Sequence, residues 1–192
     1  MGKYKNAKVL IIDNFDSFTY NIVYLLESIK IKPIVLQNTC GLQDILRYDF
    51  THLIISPGPS NPQNAGVSID AIKYFAKTKR ILGICLGHQC IAQAFGESVV
   101  KMPTPTHAKK HKMYFKKNTL FKYIKSPIKI ALYHSLQVKI DSIKPKIKIL
   151  AYSKKIIMAI KVKKCKIYGI QFHPESILQK HGKRIIKNFL EI

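Results

Sequence analysis

A strand-like apolar run that ends in glycine–x–cysteine–x–glycine constrains this chain more than any other feature. Arg80-Ile81-Leu82-Gly83-Ile84-Cys85-Leu86-Gly87-His88-Gln89 passes from that run straight into a helix-compatible sequence. The pattern is a thiol version of the nucleophile elbow, a tight strand-to-helix turn that lifts one reactive side chain above a sheet. Glycines on both sides leave room for a strained backbone and for close approach of a substrate. A cysteine there also sits at a helix N-terminus, where the dipole and unpaired N–H groups favour thiolate over thiol. The same residues also fit a plain core cysteine at the end of a buried strand, because free cysteines are commonly buried.

The periodicity around this turn predicts its setting. Residues 9–13, 33–37, 52–56 and 81–85 read as strands, and 17–30, 42–48, 69–76 and 86–95 as helices between and after them. Phe18, Ile22, Leu25, Leu26 and Ile29 fall on one face of the first helix, with Asp16 or Ser17 as its cap. Strands alternating with helices at this spacing imply right-handed βαβ units and a parallel sheet. In such sheets ligands gather at the C-terminal strand ends, which would bring loops 13–16, 56–60 and 85–87 together. After Gly96 come short β-like pieces at 98–101, 112–116, 128–133, 137–140, 148–152, 156–161 and 166–171, then a closing helix at 182–190. The expected fold class is α/β, a mostly parallel central sheet with flanking helices and additional antiparallel strands in the C-terminal half. One domain over residues 1–192 accounts for the length, with no internal repeat or linker.

Composition narrows the function classes. No segment approaches the roughly 18 uninterrupted apolar residues of a membrane span, and the N-terminal apolar stretch is too short for a secretory signal. A soluble, cytoplasmic protein without a membrane partner is expected. Cys40, Cys85, Cys90 and Cys165 lack paired spacing, so neither a metal site nor a disulfide framework is expected, and Cys90 reads as packing. The formal net charge of +23 raises nucleic acid as a partner. Its distribution argues against that: residues 1–100 carry ten basic and seven acidic side chains, whereas 101–192 carry twenty-three and three. The basic residues are almost all lysine, with arginine only at 47, 80 and 184, and no arginine forks or aromatic platforms are organised. Abundant lysine and isoleucine instead fit codon drift in an AT-rich genome.

A second motif, Gln171-Phe172-His173-Pro174-Glu175, supplies what a cysteine nucleophile lacks. Such a nucleophile needs a base and proton shuttle, commonly histidine, and the imidazole needs an orienting acceptor. Pro174 biases His173 toward an extended backbone, so side chains 173 and 175 project to the same side. In isolation the motif also reads as a surface turn with an incidental His and Glu. Beside the elbow, in a chain of βα repeats, it completes a catalytic set.

Together, Gly83–Gln89 and Gln171–Glu175 resemble the class I (triad-type) glutamine amidotransferases over nearly the whole chain. Asp13-Asn14-Phe15-Asp16-Ser17-Phe18-Thr19-Tyr20-Asn21 is similar to a narrower group, the glutaminase subunits (component II) of anthranilate synthase and aminodeoxychorismate synthase. Ser56-Pro57-Gly58-Pro59, Tyr133-His134-Ser135-Leu136 and His173-Pro174-Glu175-Ser176-Ile177-Leu178 fit the same group. The resemblance implies a flavodoxin-like fold and, residue by residue, catalytic roles for Cys85, His173 and Glu175. It implies glutamine contacts from Gly58, Pro59, Ser60, Leu86, Gln89, Ser135 and Leu136, with Leu86 and Gly58 N–H groups meeting the oxyanion. It implies no cofactor and no metal. His88 and His134 are expected to be structural, because the acid–base role is already filled.

The chain departs from the group's pattern at several places: Ser60 where glycine is frequent, Glu97 for a second glycine, His107-Ala108-Lys109 for His-Gly-Lys, and Leu132 where arginine is common. Positions 97, 108 and 132 are expected to bear on partner docking or coupling. No length remains for a synthetase domain after the second motif, so a separate chorismate-binding component I is the expected partner, in a heterodimer or heterotetramer. The product would be 4-amino-4-deoxychorismate, anthranilate or both. Two other readings stand beside this one: a glutaminase for another acceptor such as a nucleotide synthetase, and a non-catalytic binding module with the same fold.

Overall fold

The computed structural model describes residue 4, residues 6–143 and residues 145–192, and of 103–110 and 131 the backbone alone. Its elements in chain order are β1 (Val9–Asp13), α1 (Thr19–Glu27), β2 (Ile34–Gln37), α2 (Leu42–Leu46), β3 (His52–Ile55), α3 (Ser68–Phe75), β4 (Arg80–Ile84) and α4 (Leu86–Ala94). There follow β5 (Ser98–Phe115), β6 (Ile128–Lys139), β7 (Ile147–Ser153), β8 (Ile156–Val162), β9 (Ile167–Ile170) and α5 (Gly182–Leu190). The strands form one sheet in the order β2-β1-β3-β4-β9-β8-β7-β5-β6. From β2 to β9 every pairing is parallel; from β9 to β6 every pairing is antiparallel. The expected mixed α/β architecture is therefore present.

The alternation of side chains along each strand divides the core into two layers. Val9 and Ile11 of β1 join Ile54, Leu82, Ile84 and Ile170 on one face, covered by Ile22 and Leu26 of α1 and by Ile185, Ile186 and Phe189 of α5. Leu10 and Ile12 join Leu53, Ile55, Ile81 and Ile167 on the other, covered by α2, α3 and α4 through Ile45, Ile72, Phe75 and Ile91. Strands buried on both faces need a continuous apolar sequence, which β1, β3 and β4 have.

Two differences from the sequence pattern have physical causes. The pieces at 98–101 and 112–116 are a single strand, β5, and those at 128–133 and 137–140 are a single strand, β6. Pro103 and Pro105 fall where the ladder register lapses between Lys101 and Thr106, so no pairing N–H is demanded of them. The same irregularity carries Ser135 on the partner strand, and bulges of this kind re-aim side chains beside functional sites. Helix α1 begins at Thr19 with no side-chain cap; Asp16 Oδ1 instead accepts the Phe18 N–H at 2.8 Å, one turn earlier than a cap would.

Candidate active site

The pairing of β4 with β9 explains why the two motifs meet. These strands are parallel neighbours with Ile84 opposite Ile170, so Cys85 and the segment from Gln171 leave the sheet at the same end. The Cys85 N–H continues the ladder to Ile170 O at 2.9 Å. Cys85 then takes φ 52° and ψ −103°, a strained conformation for a residue with a side chain, and α4 starts at the next residue. Gly87 lets that helix lie on β3: a Cβ there would fall 2.3 Å from Ile55 O. The core-cysteine reading fits Cys90 instead, which is fully buried and whose thiol pKa burial pushes up to about 12.

His173 and Glu175 stand in hydrogen-bonding order. His173 Nδ1 lies 2.6 Å from Glu175 Oε1, with both side chains almost wholly shielded from solvent. The imidazole is also gripped edge-on by two rings, Phe18 and Tyr133, each with its centroid 5.3 Å away. Burial lowers the proton affinity of this ring, but the adjoining Cys85 and Glu175 raise it by more, so its pKa lies above the ordinary histidine value. Nε2 makes no hydrogen bond in this resting geometry and is left for proton exchange. The surface-turn reading of this motif does not hold.

Beside the sulfur is a cleft of about 190 Å³ lined by Gly58, Pro59, Ser60, Cys85, Leu86, Gln89 and residues 133–136. All seven residues expected to contact glutamine border it. Gly58 is there for close approach: a Cβ would fall 2.5 Å from Leu86 Cδ2 and 2.6 Å from Asn14 Cβ. Ser60 has φ 69°, in the left-handed region that favours glycine. The Gly58 loop is pinned by Asn14, which is buried and fully engaged. Asn14 donates its backbone N–H to Ser56 Oγ and its Nδ2 to Ser56 O, while its Oδ1 accepts from Asn38 Nδ2 and Ser68 Oγ. Loops 13–16, 56–60 and 85–87 thus meet at the C-terminal strand ends, as the βα pattern predicts.

Gln89 is buried, not solvated, and its Nε2 donates to Leu136 O at 3.4 Å and to Gln171 Oε1 at 3.2 Å. Gln171 Nε2 in turn approaches Cys85 Sγ at 3.6 Å. His134 Nδ1 donates to Leu136 O at 2.7 Å, and burial lowers its pKa to about 4. His88 is fully enclosed, and burial lowers its pKa to about 3. Burial thus favours the neutral form of both rings. Phe18, Asn14 and Gln171 lie inside the quoted motifs, yet their roles at the site arise from partners distant in sequence, which no local pattern displays.

The departures at 97 and 132 are internal. Glu97 is buried, and its Oε2 accepts the N–H groups of Asp141 and Ser142, closing the end of α4 onto the segment after β6. Leu132 is a core side chain with no exposed surface. The side chains of His107, Ala108 and Lys109 lie outside the described residues. Among the described residues, no helix is long and apolar enough to cross a membrane. No group of three His, Cys, Asp or Glu side chains among them is placed to hold a metal ion.

The chain is similar to known proteins over nearly its whole length. The model of the class-I glutamine amidotransferase family matches residues 10–192. The chain is 41% identical over 185 residues to aminodeoxychorismate/anthranilate synthase component 2 of Bacillus subtilis, an alignment covering 95% of each. It is 40% identical over 189 residues to the bifunctional protein TrpGD of Thermotoga maritima, with 96% of this chain aligned to 32% of that protein's length. Among solved structures, a glutamine amidotransferase from Thermotoga maritima matches with a TM-score of 0.76 and 15% identity, covering 96% of this chain and 96% of that one. At that identity the likeness concerns the fold.

Proposed function

This chain belongs to the class-I glutamine amidotransferase family, and from that premise we propose that Cys85 is the nucleophile that releases ammonia from L-glutamine. Cys85 Sγ attacks the side-chain carboxamide carbon while His173 takes the thiol proton and returns it to the departing ammonia. Glu175 holds His173 in the tautomer that leaves Nε2 for this exchange. The oxyanion of the tetrahedral intermediate is met by the N–H of Leu86, among the unpaired donors at the start of α4, and by the N–H of Gly58. Collapse leaves a γ-glutamyl thioester on Cys85. Water activated by His173 then hydrolyses it to glutamate and restores the thiol.

Substrate glutamine occupies the cleft between Gly58–Ser60 and Ser135–Leu136. Both Nε2 hydrogens of Gln89 are directed at protein acceptors, so its Oε1 is the group left to accept an N–H from the ligand. The observation that carries this reading is the buried His173–Glu175 pair, whose ring the adjoining Cys85 also affects, beside a small cleft that Cys85 lines.

The ammonia serves a separate chorismate-binding component I in the cytoplasm, giving 4-amino-4-deoxychorismate, anthranilate or both. The name of the Bacillus subtilis relative, which spans the two products, supports this. Reconstitution with each candidate component I, followed by product identification, tests it. Glutamine-dependent product is expected from the wild-type pair. With Cys85→Ser, only ammonia-dependent product is expected. Equal loss of both activities in that variant, or no product with either component I, contradicts the reading.

A further inference from the structure

We infer that Gln171 is a hydrogen-bond donor to the Cys85 nucleophile, separate from the proton-exchanging His173, with Gln89 as the positioning residue that fixes which way its carboxamide faces. The inference rests on Cys85 being the nucleophile. Gln171 has no exposed surface and follows β9 directly, its backbone N–H held by Met158 O at 2.9 Å. With the main chain anchored on β8, the side chain has little freedom. Its Nε2 lies 3.6 Å from Cys85 Sγ, within reach for a bond to sulfur.

The direction of this bond follows from chemistry along the chain of amides. The carbonyl oxygen of Leu136 can only accept, so the end of Gln89 that faces it at 3.4 Å is the nitrogen. That same nitrogen faces Gln171 at 3.2 Å, so Gln171 presents its oxygen there. The remaining end of Gln171, toward the sulfur, is therefore the N–H₂ group. Every link donates in one sense, from Gln89 to Leu136 and Gln171, and from Gln171 to Cys85. A reversed Gln171 amide would set two donors against each other at Gln89 and an oxygen lone pair against the sulfur.

A neutral amide donor favours the thiolate without competing for the proton that His173 carries. Cys85 is only 7% exposed, so water supplies few hydrogen bonds there and the amide is the donor at hand.

The test is the pH dependence of Cys85 alkylation by iodoacetamide, read by peptide mass in the full chain, for wild type, Gln171→Met, Gln171→Glu and Gln89→Leu. Gln171→Met keeps the bulk and removes the donor. Its alkylation midpoint is expected to rise by about one pH unit, or roughly tenfold less thiolate below the midpoint. Gln171→Glu, near in shape but lacking the donor, is expected to rise by at least as much, and Gln89→Leu by less. Should the methionine variant fail to fold, the glutamate variant reads the same quantity. Midpoints unchanged from wild type in the folded Gln171 variants overturn the inference and assign Gln171 to packing. Failure of wild-type Cys85 to alkylate ahead of Cys40 and Cys165 would instead overturn the nucleophile assignment, so the two failures are distinguishable.

Discussion

Glu175 Oε1 sits 2.6 Å from His173 Nδ1, two residues along the chain and sealed from solvent. A contact this local and this buried orients the ring before any substrate arrives. Glu175→Gln keeps the shape but loses the charge that favours the Nδ1–H tautomer and a transient imidazolium. The expected result is a fall in kcat for glutamate release of about 10²- to 10⁴-fold with KM changed little, by analogy with orienting carboxylates in other triads. A fall of only a few-fold would remove Glu175 from the mechanism.

Gly58 gives a second prediction. A methyl group at this position would clash with both Leu86 and Asn14. Asn14 is fixed by four hydrogen bonds and cannot yield, so Gly58→Ala moves the loop and its N–H. Loss of one oxyanion donor typically lowers kcat by about 10²-fold or more. Steady-state glutamate release measures this, with alkylation of Cys85 as a control for an intact elbow. Wild-type kcat in the alanine variant would exclude Gly58 from oxyanion binding.

The buried histidines set an acid limit on stability. His52, His88 and His134 have folded-state pKa values of about 4, 3 and 4, each lowered chiefly by burial from 6.5. As pH falls below 6.5 the unfolded chain takes up protons that the folded chain refuses, so stability is lost with falling pH. For the fully enclosed His88 the loss between pH 6.5 and pH 5 is about 2 kcal/mol. His173, with its raised value, contributes fully below 6.5 and loses its contribution only as pH rises, so it does not offset this slope. Urea unfolding at pH 7 and pH 5 is expected to show a smaller pH dependence in His88→Gln than in wild type. Equal dependence in the two proteins contradicts the assignment.

What was legible in the sequence was what is local or periodic. The elbow declares itself because Gly83, Cys85 and Gly87 sit within five residues. The His173–Glu175 pair declares itself because the two residues stand two apart, although the backbone between them is a turn, with Ser176 N–H donating to His173 O at 3.4 Å, and not the extended segment that Pro174 suggests. The two-layer core follows from the unbroken apolar strands β1, β3 and β4. Strands β5 and β6 each read as two pieces, because the lapse in pairing register between Lys101 and Thr106, opposite Ser135, is a property of the ladder and of no local pattern. The ring clamp of Phe18 and Tyr133 on His173 needs three segments brought together by the sheet. Likewise the Gln89–Gln171 contact joins residues 82 positions apart, a relation carried by β4–β9 pairing and by no motif.

The identity of the reacting sulfur is read by the diazoketone analogue of glutamine, which forms a stable thioether with an attacking thiolate. After incubation with this analogue, peptide mass mapping is expected to find the adduct on Cys85 alone, slowed by excess glutamine and nearly absent in His173→Ala. An adduct on Cys40, Cys90 or Cys165, or none on a folded chain, would contradict the mechanism.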